Sequence, residues 1–412
     1  MATEEDMYYD SIDQVSRRIR DQDVSSVELV HACLRRIEAL NPQLNAFITV
    51  LGNATDQARV ADEEIRAGKW RGPLHGIPVA VKDFYDTAGV RTTGGLEQFK
   101  DRVPAIDARV VRRLKQAGAI IIGKTNMDAL GMATTGLTSA FGPVRNPWNG
   151  DYVSGGSSAG SACAVAAGLC YATVDTDAIG SVRLPASCCG VVGFKGSYGL
   201  ISVRGILGDE PVDDFIRWMG HAGITTRNAL DAALMLSALA DPEGQDFVSA
   251  IGGANRNVRV GVGSNVAPHA EVRQAFDGAV AVLVDAGYEV REAAVPFGGP
   301  SQGSLVNIEG DRVSVGADTF AQVDVIVLPT LDRTVPTVEE ASKNAEQGVS
   351  AEGTAFANYY GLPAVSVPCE FDGHGLPIGL QIVGRPGEEG TVLAVAHRYE
   401  QITGVGRTHP IA

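Results

Sequence analysis

Residues 154–181 read SGGSSAGSACAVAAGLCYATVDTDAIGS. Ser154–Gly160 is a loop rich in glycine and serine, and it leads into Ser161–Leu169, an apolar segment that predicts a buried helix. A strand is predicted near Tyr171–Val174, and a second glycine-containing turn follows at Ala178–Ser181. This order of loop, helix, strand and turn is typical of an α/β protein, in which helices cover a sheet.

The same alternation extends upstream. Ser25 and Glu28 form a capping box, which predicts a helix that ends at Asn41-Pro42. The next predicted elements are a helix at about Asn53–Ala67, a strand at Ile77–Val81 ending at Lys82, a helix at Ala108–Gln116 and a strand at Ala119–Ile122. Each apolar strand is followed by a polar or glycine-containing stretch, where functional side chains are commonly placed.

Downstream, the pattern continues to the end of the chain. The predicted elements are helices at Asn228–Leu239 and Val272–Ala286, and strands at Val258–Val262, Val323–Leu328, Gly361–Val367 and Gly375–Gln381. The last two strands carry related phrases and are expected to form a hairpin through Asp372-Gly373. Pro296–Ala317 is rich in glycine and serine, and we expect an irregular segment there, either a surface loop or an internal hinge. The whole chain is predicted to be one α/β domain with helices on both faces of its sheet.

Composition excludes several classes of protein. The chain has 412 residues, with 34 Lys and Arg against 49 Asp and Glu, and a formal net charge of −15. Binding to nucleic-acid phosphates needs a basic surface, so we expect no nucleic-acid partner. The apolar and charged fractions, 45% and 20%, are those of an ordinary globular protein and exclude general disorder.

Neither a targeting segment nor a metal site is evident. Met1–Asp10 is acidic and lacks the basic and apolar regions of a signal peptide, and no apolar run is long enough to span a bilayer. The six cysteines form no CxxC pair, and the seven histidines form no HExxH motif. We therefore expect reduced cysteines, a cytoplasmic protein, no membrane partner, and no metal or other cofactor.

Three short motifs match known patterns but lack the context that those patterns need. Gly118–Thr125 fits the letters of a phosphate-binding GxxxxGKT loop, yet its middle residues are Ala and three isoleucines, which favour a strand. Val79–Lys82 resembles the lysine strand of kinases, but no HRD or DFG sequence follows. Gly156–Gly160 fits a G-x-S-x-G elbow around Ser158, but no apolar strand directly precedes it. None of the three predicts a function.

Three polar residues remain: Lys82 after a buried strand, Ser157 in the GGSS loop and Ser181 after the second glycine turn. The phrases that carry them are GIPVAVKD at 76–83, GGSSAGSA at 155–162 and GSVRLPA at 180–186. These phrases resemble the amidase signature family, in that order and at the family's spacing between the serines. Supporting phrases are GKTNMD at 123–128, FGPVRNPW at 141–148 and the Gly-Leu-Pro tail, so the resemblance runs from about 10 to 400.

The resemblance implies a large mixed sheet and a Ser-cisSer-Lys hydrolase of C–N bonds in amides. By position, Ser181 would be the nucleophile, Ser157 the bridging serine on a cis peptide and Lys82 the base. This chemistry is coherent, because a serine hydroxyl needs a neighbouring base and a lysine is a base only when it is neutral. Burial after the apolar strand would favour the neutral amine.

Two further groups of site residues follow from the resemblance. The backbone N–H groups expected to form the oxyanion hole belong to Ala178, Ile179, Gly180 and Ser181. The residues expected to bind substrate are Met127, Leu130, Gly155, Gly156 and Ile179, several of which are apolar and indicate a hydrophobic or aromatic group. Asp177 and Arg183 flank the second turn and are expected to have a structural role, as an ion pair or as caps of the loop, and Asp83 is expected to cap a turn.

The chain departs from the family in two places. Where the family has Asp-Thr-Gly-Gly-Ser, this sequence reads DAIGS at 177–181, so Ile179 should add an apolar wall beside the oxyanion turn. This variant also resembles amidases that act on aryl carbamates, the urethanases. We assign one domain over 1–412, with N-terminal helices at about 10–67, a signature core at about 72–206 and a shortened variable segment at about 296–322.

Three functions remain open. The first is a hydrolase of small-molecule amides, and of esters or carbamates, with a urethanase as its carbamate-specific form. The second is a glutaminase-like subunit of a tRNA-dependent amidotransferase, against which the acidic composition and the shortened chain argue. The third is a catalytically silent binding protein, which the intact set of Lys82, Ser157 and Ser181 disfavours. The sequence is also compatible with a homodimer.

Overall fold

Eleven strands form one mixed sheet in a computed structural model that describes residues 4–208, 210–211, 213–252, 257–297, 305 and 307–410. In chain order they are β1 (Phe47–Val50), β2 (Pro78–Lys82), β3 (Ile120–Thr125), β4 (Ala172–Asp177), β5 (Val192–Lys195), β6 (His221–Thr226), β7 (Arg259–Gly263), β8 (Glu289–Ala293), β9 (Val325–Pro329), β10 (Ala364–Phe371) and β11 (Pro377–Gly384). Across the sheet the order is β1-β3-β2-β4-β6-β5-β10-β11-β9-β7-β8.

Fifteen α-helices lie in the described residues. They are α1 (Glu4–Tyr9), α2 (Ile12–Arg20), α3 (Ser26–Leu44), α4 (Ala54–Arg66), α5 (Arg109–Gln116), α6 (Ala159–Ala166), α7 (Arg183–Cys189), α8 (Asp214–Met219), α9 (Ala229–Leu239), α10 (Val248–Gly252), α11 (Ala270–Asp285), α12 (Ile308–Asp318), α13 (Val338–Ser342), α14 (Ala355–Tyr359) and α15 (Glu389–Thr403). Short 3-10 turns occur at Glu97–Phe99, Ala129–Gly131 and Val405–Arg407.

Helices cover both faces of the sheet, which confirms the predicted fold class. α6 contacts β2, β3 and β4 and packs against α7, whereas α9 and α15 pack together and contact β6 and β10 respectively. Every residue of β2, β3 and β4 is buried, because these three neighbouring parallel strands are covered on both sides. No helix in the described ranges is both long enough and apolar enough to cross a bilayer.

The parallel pairing of β2 and β4 determines where the polar residues meet. Val81 of β2 is in register with Val174 of β4, so the two strands end at the same edge of the sheet. Lys82 ends β2, and the turn that carries Ser181 begins directly after β4. In open α/β sheets this carboxyl edge is where ligands commonly bind.

The predicted C-terminal hairpin is confirmed, and it lies inside the sheet. β10 and β11 are antiparallel, with Val365 opposite Ile382. On its other side β10 pairs with β5, and β11 pairs with β9. The last two strands therefore join the part of the sheet formed by β1 to β6 to the part formed by β7 to β9.

Two predictions about local structure are wrong. α3 does not stop at Asn41-Pro42 but continues to Leu44, and Asn45 ends it with φ +53°. Proline removes only one helical N–H and has a helix-compatible φ, so the last turn of this helix tolerates Pro42.

Pro296–Ala317 is not irregular throughout, because α12 begins at Ile308. Helix α12 buries Ile308 in the apolar cluster that contains Met219 and Tyr359, and it buries Val315 in the cluster that contains Phe320 and Ile326. This packing outweighs the low helix propensity of the Gly and Ser residues in α12. Residues 298–304 and 306 of the expected loop, and so part of the expected variable segment at about 296–322, lie outside the described residues.

Candidate active site

Lys82 is fully buried and is surrounded by hydroxyl groups. Its Nζ lies 2.7 Å from the Oγ of Ser157, 2.9 Å from the Oγ of Ser158 and 2.9 Å from the Oγ1 of Thr176. The Phe84 ring centroid is 5.8 Å from the same nitrogen. The three hydroxyls are neutral, so these direct contacts do not force the amine to carry a charge.

The pKa of Lys82 is lowered from 10.5 to about 8. Desolvation by burial is the main cause, and the nearby carboxylates of Asp175, Asp128 and Asp177 oppose it in part. At pH 7 about a tenth of the amine is therefore neutral and able to accept a proton, a far larger fraction than for a lysine with the ordinary pKa of 10.5.

The Ser157 loop is shaped by close backbone packing. The peptide bond between Gly156 and Ser157 is cis. A Cβ on Gly156 would overlap the Asp128 carboxylate and approach the backbone of Thr134 and Thr135 within 2.9 Å. The Asp128 N–H in turn donates to the Ser157 carbonyl at 3.1 Å. Glycine is required at 156 because the neighbouring segment leaves no room for a side chain.

Ser181 lies in the turn between β4 and α7 and is 3% exposed. Its carbonyl accepts a hydrogen bond from the Ser158 N–H at 3.1 Å, so the turn is joined directly to the GGSS loop. Gly180 has φ +138°, and a Cβ there would lie 2.9 Å from the Leu184 Cγ and the Thr354 Cβ. The turn geometry therefore depends on glycine at 180.

The backbone N–H groups of this turn are available as donors. Within the described residues, those of Ala178, Ile179, Gly180 and Ser181 donate to no protein acceptor. The side chain of Ile179 is half-buried and packs against a cluster that includes Met219, Tyr359 and Trp218. Unpaired donors beside an apolar surface are the features that a site for a developing oxyanion needs.

The expected pairing of Asp177 and Arg183 is confirmed. Both side chains are fully buried, and the Arg183 Nη2 lies 2.9 Å from the Asp177 Oδ1. Burial raises the pKa of Asp177, but the Arg183 charge and its hydrogen bonds outweigh burial and hold that pKa well below its usual range. The Asn358 Nδ2 also donates to the same carboxylate at 2.9 Å. This pair anchors both ends of the turn that carries Ser181.

Asp83 acts as a cap, in agreement with the expectation for this residue. Its Oδ2 accepts a hydrogen bond from the Thr93 N–H at 2.8 Å. Its other oxygen lies 3.4 Å from the Lys124 Nζ, and all three residues are buried. Lys124 belongs to the GKT phrase, so that lysine binds a carboxylate of its own protein.

Two of the apolar residues expected to bind substrate, Met127 and Leu130, lie in different surroundings. Met127 is fully buried, and its N–H donates to the Asn126 side chain at 2.8 Å. Leu130 is 40% exposed and has φ +51°. It precedes Gly131, at which a Cβ would lie 3.4 Å from the Ser157 Oγ. Residue 131 thus lies next to the Ser157 loop, and the side chain at 130 is accessible.

Several polar residues of the site were not found from the sequence. In the sequence, only the elbow motif singles out Ser158, and Thr176 fits no motif. Both hydroxyls contact Lys82. Thr354 and Asn358, which contact the turn, lie in no motif. Of these four residues, only Thr176 has a position that predicts a place in the site. It lies near the end of β4, the strand next to the one that Lys82 ends.

No group of three or more His, Cys, Asp or Glu side chains in the described part of the chain is arranged to hold a metal ion. The polar groups at the candidate site are hydroxyls, one amine and backbone N–H donors. Such groups suit proton transfer and stabilisation of a negative oxygen.

Comparison with protein families and with curated proteins gives matches over most of the chain. Residues 28–297 and 315–393 match the family model described as Amidase. The A subunit of the glutamyl-tRNA(Gln) amidotransferase of Carboxydothermus hydrogenoformans is 32% identical over 493 aligned residues, covering 98% of this chain and 99% of that protein.

Solved structures agree over nearly the whole chain. A 6-aminohexanoate cyclic dimer hydrolase superposes with a TM-score of 0.84 at 26% identity, covering 98% of this chain and 99% of that one. Native peptide amidase from Stenotrophomonas maltophilia gives a TM-score of 0.81 at 25% identity, covering 97% and 98%. The likeness extends across the entire sheet.

Proposed function

This chain belongs to the amidase family, the amidase signature hydrolases of C–N bonds, and we propose that it cleaves amides through an acyl-enzyme on Ser181. The observation that carries the proposal is the buried Lys82 amine, 2.7 Å from the Ser157 Oγ in a loop bonded to the Ser181 turn. In this proposal Ser181 is the nucleophile, Ser157 the bridge and Lys82 the base.

In the first step the Ser181 Oγ attacks the carbonyl carbon of the substrate. Its proton passes to the Ser157 Oγ, whose own proton passes to the neutral Lys82 Nζ. A hydroxyl can donate and accept at once, so Ser157 is suited to this relay. The lowered pKa of Lys82 supports its role as the base, because a solvated lysine would be protonated at neutral pH.

The tetrahedral intermediate carries a negative oxygen, which the N–H groups of the Ala178, Ile179, Gly180 and Ser181 turn would bind. In the reverse relay, the proton on Lys82 returns through Ser157 to the leaving nitrogen, and the C–N bond breaks. Water then attacks the acyl-enzyme with the same base, releases the carboxylic acid and restores the Ser181 hydroxyl.

The same steps apply to esters and to aryl carbamates. Their leaving groups are an alcohol or a phenol, and a carbamate would release a carbamic acid. The Ile179 side chain and its apolar neighbours favour a substrate with a hydrophobic or aromatic group near the reacting carbonyl. A urethanase activity is the carbamate form of this proposal.

A second candidate is a glutaminase-like subunit of an amidotransferase. It is favoured by the 32% identity to the A subunit of glutamyl-tRNA(Gln) amidotransferase over nearly the full length of both proteins. The formal net charge of −15 disfavours direct contact of this chain with tRNA. Glutamine hydrolysis that requires a partner protein would support this candidate.

The deciding experiment measures hydrolysis of butyryl p-nitroanilide, p-nitrophenyl butyrate, a phenyl carbamate and glutamine by the wild type and by Ser181→Ala. We expect the variant to lose turnover of every substrate that the wild type cleaves, and to lose labelling by a fluorophosphonate. Retained activity in Ser181→Ala would refute the assignment.

Ser187→Ala is a matched control for this experiment. Ser187 is buried in α7, and its Oγ has no hydrogen-bond partner among the described residues. Its removal should leave turnover unchanged. The comparison separates the role of the Ser181 hydroxyl from a general effect of serine replacement in this region.

A further inference from the structure

The direction of each donor in the Ser181 turn is set by the carbonyl of the same peptide unit. In a trans peptide the C=O and the following N–H point in opposite directions within one plane. A hydrogen bond that fixes the Ile179 carbonyl therefore also fixes the Gly180 N–H. A group that binds this carbonyl thus aims one of the oxyanion donors.

Thr354 makes that hydrogen bond. Its Oγ1 donates to the Ile179 carbonyl at 2.5 Å. The Ala351 carbonyl lies 3.1 Å from the same hydroxyl, but a hydroxyl has one hydrogen, and the shorter contact is to the turn. Thr354 is fully buried, so water does not compete for the bond.

Thr354 is itself held from two directions. Its carbonyl accepts a hydrogen bond from the Arg183 Nη1 at 2.9 Å. The preceding carbonyl, that of Gly353, accepts from the Gln381 Nε2 at 2.7 Å. Because Gln381 lies in the centre of β11, the hydroxyl is fixed relative to the sheet.

The neighbouring peptide units are held by other groups. The Gly180 carbonyl accepts from the Leu184 N–H at 2.7 Å, and the Ser181 carbonyl accepts from the Ser158 N–H. The Asp177 carbonyl accepts from the Asn358 Nδ2 at 2.8 Å. Among the described residues, the Ile179–Gly180 unit thus depends on a single threonine hydroxyl from outside the turn.

We propose that Thr354 is a positioning residue for hydrolysis, which aims the Gly180 N–H at the developing oxyanion through its hydrogen bond to the Ile179 carbonyl. The proposal rests on the function proposed above. Thr354 touches no reacting atom, so it acts through the turn. Its contribution should appear in the transition state and not in the binding of the ground-state substrate.

The test compares Thr354→Val, which keeps the shape and removes the hydroxyl, with Thr354→Ser, which keeps the hydroxyl. With p-nitrophenyl butyrate we expect the valine variant to lose about 10- to 100-fold in kcat, with KM within about twofold, while the serine variant retains most activity. Affinity for phenylboronic acid, which forms a tetrahedral adduct on a serine, should fall in parallel with kcat. The midpoint of the pH–rate profile should not move.

Thr226→Val is the matched control. Thr226 is buried, and its Oγ1 donates to the Asn228 carbonyl at 2.8 Å. It lies opposite Ala172, at the end of β4 away from Ser181. Loss of this hydroxyl removes one buried hydrogen bond of the same kind and should leave kcat unchanged.

The experiment distinguishes failure of the Thr354 proposal from failure of the proposed function. Wild-type kcat and boronate affinity in Thr354→Val would overturn the proposal, as would an equal loss in Thr354→Ser. A rise in KM with unchanged kcat would also overturn it. If the valine variant does not fold, Thr354→Ala takes its place, since a smaller side chain cannot overfill the site. Absence of Ser181-dependent turnover in the wild type would defeat the proposed function itself, and this inference with it.

Discussion

The Nζ of Lys82 lies 2.7 Å from the Oγ of Ser157, although 75 positions separate the two residues in the chain. The amine reaches this place because β2 is buried on both faces and ends at the sheet edge where the GGSS loop lies. Burial both lowers the pKa of the amine and brings it to the hydroxyl that would relay a proton. One feature of the fold therefore supplies both requirements of the base.

Hydrolysis should depend on pH through Lys82. The neutral amine is the active form and its pKa is about 8, so kcat/KM should rise about tenfold per pH unit below pH 8 and level off above it. The measurement is butyryl p-nitroanilide hydrolysis from pH 6 to 10. A rate that still rises about tenfold per pH unit up to pH 10, as a lysine with the ordinary pKa of 10.5 would give, would contradict this prediction. Ser187→Ala should show the same profile as the wild type.

Lys82 should also make folding stability depend on pH. Its folded pKa of about 8 is below its unfolded value of 10.5, so between these values the unfolded chain binds a proton that the folded chain does not. The cost of holding the lysine in the folded protein is thus fully present below pH 8 and disappears as the pH rises to 10.5.

Lys82→Met removes this cost. The difference in free energy of unfolding between variant and wild type should shift by on the order of 3 kcal/mol in favour of the wild type between pH 7.5 and 10.5. Urea unfolding at several pH values measures it. A difference that stays constant with pH would show that Lys82 titrates alike in both states.

Ile179 should select for apolar acyl groups. Ile179→Gly removes a side chain that packs with the cluster of Met219 and Tyr359 beside the oxyanion turn. We expect KM for p-nitrophenyl benzoate to rise about tenfold and that for p-nitrophenyl acetate to change much less, because the larger acyl group loses more apolar contact. Ile179→Val, which keeps most of the surface, is the control. Equal changes with both esters would count against this role.

Arg183→Met should destabilise the protein strongly. The substitution leaves the buried Asp177 carboxylate without its charged partner, which costs about 3–5 kcal/mol of free energy of unfolding. Denaturant titration measures the loss. Arg59→Met, in an exposed ion pair with Asp56, should leave stability nearly unchanged. A small effect of Arg183→Met would contradict this prediction, because it would mean that water or a rearrangement stabilises the Asp177 charge in place of Arg183.

The site residues that could be predicted from the sequence lie in or beside short sequence patterns that can be recognised locally. Lys82 follows an apolar run that forms β2, and Ser157 and Ser181 lie in glycine-containing turns after or before apolar segments. The Asp177 and Arg183 pair was predictable because the two residues flank one turn. Short-range patterns of this kind indicate burial and turn geometry, because a few neighbouring residues determine both.

The rest depended on contacts between distant segments. Thr354 and Asn358 reach the Ser181 turn from α14 and its N-terminal end, more than 170 positions away. Threonine and asparagine at such places look like ordinary helix ends. The prediction of an end to α3 at Pro42 failed for the opposite reason, because a local rule was applied where the last helical turn tolerates the exception.

The central place of β10 and β11 has a consequence for synthesis. Of the eleven strands, these two are synthesised after all the others, yet they separate β5 from β9. Until they emerge, the nascent chain exposes two unpaired strand edges that can join those of other molecules. A chain that terminates before residue 364 would keep both edges open, so premature stop codons late in the gene should yield aggregates instead of a smaller working enzyme.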